Sequence, residues 1–239
     1  MTWAYGVQDG LPVLALSGNL TTAASTLLHR LLGEARQQGQ AAVLIDVSAL
    51  AVNDTETIAL FASIMIEALQ WPDVSVLICA PTTEMRNLLG AGAVDPRLLF
   101  DSVAAGRAAA MVAVPSITED LLPIAGAARR ARDVVTEACL RWDEPSLVGN
   151  AALVISELVT NASMHANTMM TLQIRLRSCH LHIAVFDGSA THAVARQAGS
   201  AGVGGRGLQL VDAVSAAWGS TALATGKVVW SALDRPGSP

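Results

Sequence analysis

Short apolar runs alternate with segments of helical periodicity through the first half of the chain, and this alternation limits the folds open to it. The apolar runs have the length and the aliphatic content of buried strands, and they cover residues 13–16, 41–47 and 74–79. The helical patterns cover residues 22–37, 54–69 and 82–89. Strands that alternate with helices in this way predict an α/β layer architecture.

The second half has a different rhythm. Its patterns predict helices at residues 124–141, 147–165 and 208–217, and strands at 170–176, 181–186 and 228–232. Long helices beside antiparallel strands predict an α+β sandwich. The change of pattern falls within residues 108–120, so we expect two domains, residues 1–112 and residues 113–239.

Composition argues against several classes of function. The formal net charge is -5, whereas a phosphate-tracking surface needs clustered Lys and Arg, so we expect no direct contact with nucleic acid. No run approaches the ~18 apolar residues of a membrane span, and no signal peptide is evident, so we expect a cytoplasmic protein without a membrane partner. The three cysteines, Cys79, Cys139 and Cys179, form no metal-binding motif and are expected to be buried thiols.

Polar residues recur along one face of the predicted helix at residues 147–165. Glu157, Asn161 and His165 are spaced at i, i+4 and i+8, while Leu158 lies on another face. A carboxylate, an amide and an imidazole in one row suit the wall of a pocket for a polar ligand. Taken by itself, this row is explained equally well as the solvent-facing side of an ordinary amphipathic helix.

Two later segments favour the ligand pocket. Asp187 and Gly188 follow a predicted strand, where a carboxylate can accept a hydrogen bond from a ligand amine. Residues 202–207 form a glycine-rich segment just before the helix that begins at Leu208. Glycines let backbone N–H groups approach phosphates, and a helix N-terminus favours negative charge.

The order of these segments resembles the GHKL ATPase superfamily, whose fold is a Bergerat-type α/β sandwich. In three segments the amino-acid sequence is similar to that of bacterial anti-sigma-factor serine/threonine kinases, which contain HATPase domains. Residues 157–166 read Glu-Leu-Val-Thr-Asn-Ala-Ser-Met-His-Ala, residues 205–212 read Gly-Arg-Gly-Leu-Gln-Leu-Val-Asp, and residues 226–230 read Gly-Lys-Val-Val-Trp. The resemblance covers about residues 122–233.

This resemblance implies an ATP site with Mg²⁺. Glu157 would be the general base that takes the proton of the acceptor hydroxyl, Asn161 would give its amide oxygen to Mg²⁺, and Asp187 would recognise the adenine amino group. The other residues implied to border the nucleotide are His165, Gly202, Gly204, Gly205, Arg206, Gly207 and Leu208.

In the first half, a predicted strand leads into a helix start at Asp54 and Thr55. Asn53 and Glu56 have the spacing of a capping box, which is one sufficient reason for polar residues here. Thr55 is also a candidate phosphoacceptor, because a hydroxyl at an exposed helix N-terminus is accessible to a kinase.

Residues 11–107 resemble the STAS domain of anti-sigma-factor antagonists, in which a Ser after Asp at this position is phosphorylated. The Asp54-Thr55 pair takes the place of that Asp-Ser pair, and residues 18–21, Gly-Asn-Leu-Thr, take the place of Gly-Glu-Leu-Asp. This resemblance implies a STAS-like α/β domain, which precedes the GHKL sandwich in the chain.

Together the two resemblances imply a bacterial partner-switching regulator of transcription. The second domain would phosphorylate Ser or Thr of a STAS antagonist, in cis at Thr55 or in trans, and could also sequester a sigma factor. Kinases of this family tend to be homodimers. The alternative is a non-catalytic ATP-sensing scaffold, which Ser189 favours because the family usually has glycine there.

Overall fold

A computed structural model describes most of the chain. The described residues are 2–8, 10–19, 26, 30–31, 34–35, 42–51, 55–68, 74–91, 94–189, 206–223 and 225–236. They divide into two compact units, residues 1–113 and 114–239, which we call unit 1 and unit 2.

Unit 1 is built on a five-stranded sheet with the strand order β1-β2-β3-β4-β5. The strands are β1 (Thr2–Gln8), β2 (Leu11–Asn19), β3 (Ala42–Ala51), β4 (Ser75–Cys79) and β5 (Leu99–Phe100). β1 pairs antiparallel with β2, whereas the other neighbours are parallel. Parallel neighbours require crossover connections, which agrees with the alternation read in the sequence.

The described helices of unit 1 follow the strands. They are α1 (Thr55–Ala68), α2 (Thr83–Gly90) and α3 (Val103–Ala110). Thr82 and Ser102 cap the last two, since their hydroxyls accept from the backbone N–H groups of Met85 and Ala105. Two separate apolar clusters lie in this unit, the larger around Phe61 and the smaller around Leu44. The central strands are therefore covered on both faces.

Unit 2 is built on a second five-stranded sheet, with the order β6-β7-β8-β10-β9 and only antiparallel neighbours. Its strands are β6 (Ser116–Leu121), β7 (Met170–Leu176), β8 (His180–Asp187), β9 (Ala217–Leu223) and β10 (Gly226–Asp234). Its helices are α4 (Ala127–Arg141), α5 (Val148–His165) and α6 (Arg206–Val214). One apolar cluster joins all three helices to the sheet, which makes a helix-on-sheet sandwich.

Four observed strands differ from the sequence-based expectation. The strand β6 (Ser116–Leu121) begins within residues 108–120, which we expected to be the boundary between the domains. The helix expected to reach residue 217 ends at Val214, and β9 begins at Ala217. The sequence patterns also did not indicate β1 or β5.

The α5 helix is the central helix of unit 2. Its buried face consists of Ala151, Val154, Ile155, Leu158, Val159 and Ala162. With the preceding turn it is long and apolar enough to cross a membrane, with a mean hydropathy of 1.3 over its most apolar window. Core helices of water-soluble proteins pass the same test, and the buried face of α5 belongs to the apolar core of unit 2.

Candidate functional site

The polar row predicted on α5 is present. Glu157 and Asn161 are half-buried, and His165 is the exposed last residue of the helix. Leu158 and Ala162 lie on the adjoining face, in the apolar core. The burial of the apolar face fixes the rotation of α5, so Glu157 and Asn161 border the core without entering it.

Helix α6 begins directly against Glu157. A Cβ atom built on Gly207, the second residue of α6, would overlap Oε2 of Glu157 and lie 3.1 Å from its Cδ. Glycine lets the carboxylate lie this close to the backbone, whereas a larger residue would require the Glu157 side chain to shift. The Glu157 carboxylate thus lies beside the first turn of α6, where free backbone N–H groups favour negative charge.

Asp187 ends β8 and is buried, with no exposed surface on its side chain. Its Oδ1 accepts two hydrogen bonds, one from Nζ of Lys227 at 2.9 Å and one from the backbone N–H of Ser189 at 2.8 Å. Its Oδ2 is also buried, yet it has no hydrogen-bond partner among the described residues. A buried carboxylate oxygen without a donor is costly, and a ligand N–H group would satisfy it.

The backbone after Asp187 is held from two sides. The N–H of Gly188 donates to Oγ1 of Thr168 at 2.9 Å. Across the sheet Gly226 has φ +142, and a Cβ there would overlap the carbonyl oxygen of Asp187 and lie 2.8 Å from the Cα of Gly188. These contacts hold the backbone at Asp187 and Gly188 in place.

The predicted phosphate-binding segment is described only in part. Gly202, Gly204 and Gly205 lie outside the described residues, and Arg206 is the first residue of α6. Gly207 lies against the Glu157 carboxylate. Leu208 is buried in the apolar core, so only its backbone is available at the first turn of α6.

The residues present fit Mg²⁺ held mainly by a nucleotide. Among the described residues, no group of three or more His, Cys, Asp or Glu side chains is placed to hold a metal ion. Asn161 can offer one amide oxygen from the half-buried row on α5. Mg²⁺ commonly takes one or two protein oxygens and completes its octahedron with phosphates and water.

In unit 1, Thr55 is the first residue of α1, in agreement with the predicted helix start. Its side chain and the residues Asn53 and Asp54 lie outside the described part of the structure. The predicted capping box therefore stays a prediction, as does the phosphoacceptor role of Thr55.

The three cysteines are buried free thiols, as expected. Burial, with a smaller contribution from Asp46, raises the pKa of the Cys79 thiol to about 12. Burial and the nearby Glu144 raise the pKa of the Cys139 thiol to about 11. Both groups are therefore protonated at neutral pH and are poor nucleophiles.

Sequence reasoning missed three residues that shape the surroundings of Asp187, namely Thr168, Gly226 and Lys227. One signal for Lys227 was available, since it is the only lysine of the chain and lies in an apolar strand. A charged residue in such a strand needs a buried partner of opposite charge. The choice of Asp187 as that partner depends on the register of β8 and β10, which no local pattern gives.

Comparison with known proteins bears on unit 1. No curated protein matches the chain. The STAS domain family model matches residues 2–106, which is nearly the whole of unit 1. The parallel strands β2 to β5, the antiparallel β1 and the helix that starts at Thr55 all lie within the match. Residues 2–106 of this chain are a STAS domain.

Proposed function

We propose that this chain is a partner-switching signalling regulator in which unit 2 binds ATP with Mg²⁺ and transfers phosphate to Ser or Thr of a STAS domain. The STAS domain of unit 1 supports partner-switching signalling as the context. The resemblance of unit 2 to anti-sigma-factor kinases suggests the reaction and the partners, a STAS antagonist and a sigma factor. A cytoplasmic location belongs to the same proposal.

The observation that best supports nucleotide binding is the buried Oδ2 of Asp187, for which the described part of the chain provides no hydrogen-bond donor. It belongs to a side chain without exposed surface, at the end of a strand on the helix-covered face of the sheet. An exocyclic amino group of a base would supply the missing N–H donor. An ordinary turn aspartate would be exposed and would satisfy both oxygens with water.

The chemistry would use the residues that border the core. The acceptor hydroxyl oxygen attacks the γ-phosphorus, a new O–P bond forms, the bond to the β–γ bridging oxygen breaks, and ADP leaves. Glu157 would take the hydroxyl proton, and Asn161 would hold Mg²⁺ against the phosphates. The first turn of α6, opened by Gly207, would direct backbone N–H groups at the same negative charge.

One observation favours the second candidate, a nucleotide-sensing scaffold without transfer. Oδ1 of Asp187 already binds Lys227 and the Ser189 backbone, and the Glu157 carboxylate already packs against Gly207. A site whose carboxylates are already held by contacts within the protein can bind a nucleotide without adopting the geometry that phosphate transfer requires. Binding and transfer therefore need separate measurements.

The experiment measures both on the purified full chain. Equilibrium binding of ATP with Mg²⁺ is compared with incorporation of labelled phosphate into the chain itself and into separate STAS proteins. The variants are Glu157→Ala and, as a matched control, Glu137→Ala, which removes an exposed carboxylate of α4. We expect Glu157→Ala to retain binding within a few-fold and to lose transfer by about 100-fold or more, because general-base catalysis is worth 10²–10⁴-fold.

Acceptor mapping tests the role of unit 1. Thr55→Ala should abolish self-labelling if Thr55 is the cis acceptor. Thr83→Ala, which changes the first residue of α2, is its control and should leave labelling unchanged. Nucleotide binding without phosphate transfer to the chain itself or to any STAS protein would contradict the kinase and support the nucleotide-sensing scaffold. Absence of nucleotide binding would contradict both proposals.

A further inference from the structure

Lys227 is the least expected residue of unit 2. Its side chain is only 2% exposed, and it lies in β10, where Ser231 and Asp234 are the only other polar residues. An ammonium group removed from water is stable only with a full set of hydrogen-bond acceptors. Among the described residues, the only partner of its Nζ is Oδ1 of Asp187, at 2.9 Å.

Among the described residues, the pair therefore leaves hydrogen-bonding groups unused on both sides. An ammonium has three N–H donors, of which one is used here, and the carboxylate retains Oδ2 as an unused acceptor. A purely structural ion pair at this depth would be expected to use both carboxylate oxygens and more of the ammonium protons. The buried pair thus presents an unused acceptor next to unused donors.

The sheet register places this pair on the face where a nucleotide would lie. Lys227 is directly opposite Asp187 in the antiparallel β8–β10 pair. Two residues further along each strand, Val185 and Val229 are opposite one another, and both belong to the core shared with α5. Because side chains alternate across a strand, Asp187 and Lys227 are on this same helix-covered face.

We propose that Lys227 is a specificity-determining residue that donates a hydrogen bond to a ring nitrogen of the bound base, while Oδ2 of Asp187 accepts from the adjacent exocyclic amino group. This inference rests on the proposed nucleotide binding. Adenine has this combination, since its 6-amino donor lies between two ring-nitrogen acceptors, N1 and N7. A 6-oxo purine would place a carbonyl oxygen against Oδ2, which repels it.

The test uses deaza nucleotides, each of which replaces one ring nitrogen by C–H. Binding of ATP, 1-deaza-ATP and 7-deaza-ATP with Mg²⁺ is measured for the full chain and for Lys227→Met, which keeps the length of the side chain and removes its donors. In the wild type we expect one deaza analogue to bind about tenfold or more weakly than ATP, since hydrogen bonds to charged groups are the strong ones. In Lys227→Met that ratio should fall below about twofold.

A second variant separates recognition from packing. Lys227→Gln keeps one N–H donor without the charge and should restore part of the discrimination between ATP and the sensitive analogue. A structural role alone would change all three affinities together and leave their ratios constant. If Lys227→Met does not fold, the wild-type and Lys227→Gln ratios still decide the matter.

The outcomes separate the two proposals. A wild-type chain that binds ATP and both deaza analogues equally well overturns the role of Lys227 and leaves nucleotide binding intact. A wild-type chain that binds none of the three overturns the proposed function and this inference with it. GTP is the 6-oxo purine nucleotide for comparison. If GTP binds as tightly as ATP, the proposed base recognition is also overturned.

Discussion

At the scale of single residues, the Asp187–Lys227 pair should dominate the local energetics of unit 2. Removal of one partner from a buried ion pair leaves the other charge without compensation, at a cost of about 3–5 kcal/mol. We therefore expect Asp187→Ala to lower the free energy of unfolding of unit 2 by about that amount. The loss of the Ser189 N–H contact adds to the effect. Urea unfolding of the full chain, monitored through the tryptophans of unit 2, measures it.

Two further variants control this prediction. The double variant Asp187→Ala with Lys227→Met should be less destabilised than Asp187→Ala, because no uncompensated charge remains. Asp133→Ala removes an exposed carboxylate from α4 and should change stability by no more than about 0.5 kcal/mol. Additive effects of the two substitutions at the pair would show that the ion pair contributes little.

The residues of the candidate site differed in how far local sequence could predict them. Glu157 and Asn161 were placed correctly on one helix face, because helical periodicity is a local property. Two features were not predictable, namely the approach of Gly207 to Glu157 and the Oδ2 atom of Asp187 that lacks a partner among the described residues. Both depend on contacts between residues at least 40 positions apart in sequence, which only the tertiary fold creates.

At the scale of elements, the sequence predicted the interior strands and missed the edge strands of both described sheets. The interior strands β2, β3, β4, β8 and β10 are buried over most of their length, and β7 alternates regularly. Burial on two faces requires continuous apolar runs, which are easily recognised. The edges β1, β6 and β9 are largely exposed or half-buried, and β5 has only two residues, so their sequences carry little apolar pattern.

At the start of β10, Gly226 must lie close to the Asp187–Gly188 backbone. A side chain there would require φ +142 and would overlap the Asp187 carbonyl. We expect Gly226→Ala to destabilise unit 2 by at least about 2 kcal/mol, through strain and displacement of β8. Thermal unfolding measures this effect.

The matched control is Gly149→Ala on α5, where an added Cβ has no atom within 4 Å. Helix propensity favours alanine there, so this variant should be neutral or more stable by up to about 1 kcal/mol. If Gly226→Ala were equally well tolerated, the close approach between β10 and the end of β8 would not be a real constraint.

At the scale of the whole molecule, each unit has an apolar core of its own. The buried residues of the large cluster that joins α4, α5 and α6 to the second sheet, as far as the structure describes them, lie between Leu121 and Leu233. The buried residues of the two clusters in unit 1 lie between Leu11 and Leu99. Since the apolar core supplies most of the driving force for folding, each unit has a core on which it could fold by itself.

We therefore expect the fragments of residues 1–113 and 114–239 to fold separately. Their summed far-ultraviolet circular dichroism should equal that of the full chain, and each should unfold cooperatively in urea. The 114–239 fragment should bind ATP within about threefold of the full chain, because Asp187, Lys227, Glu157 and Asn161 all belong to it. A fragment of residues 114–239 that lacks a cooperative transition would show that its core is completed by the STAS domain. A folded fragment that binds ATP much more weakly than the full chain would instead place part of the nucleotide site in residues 1–113.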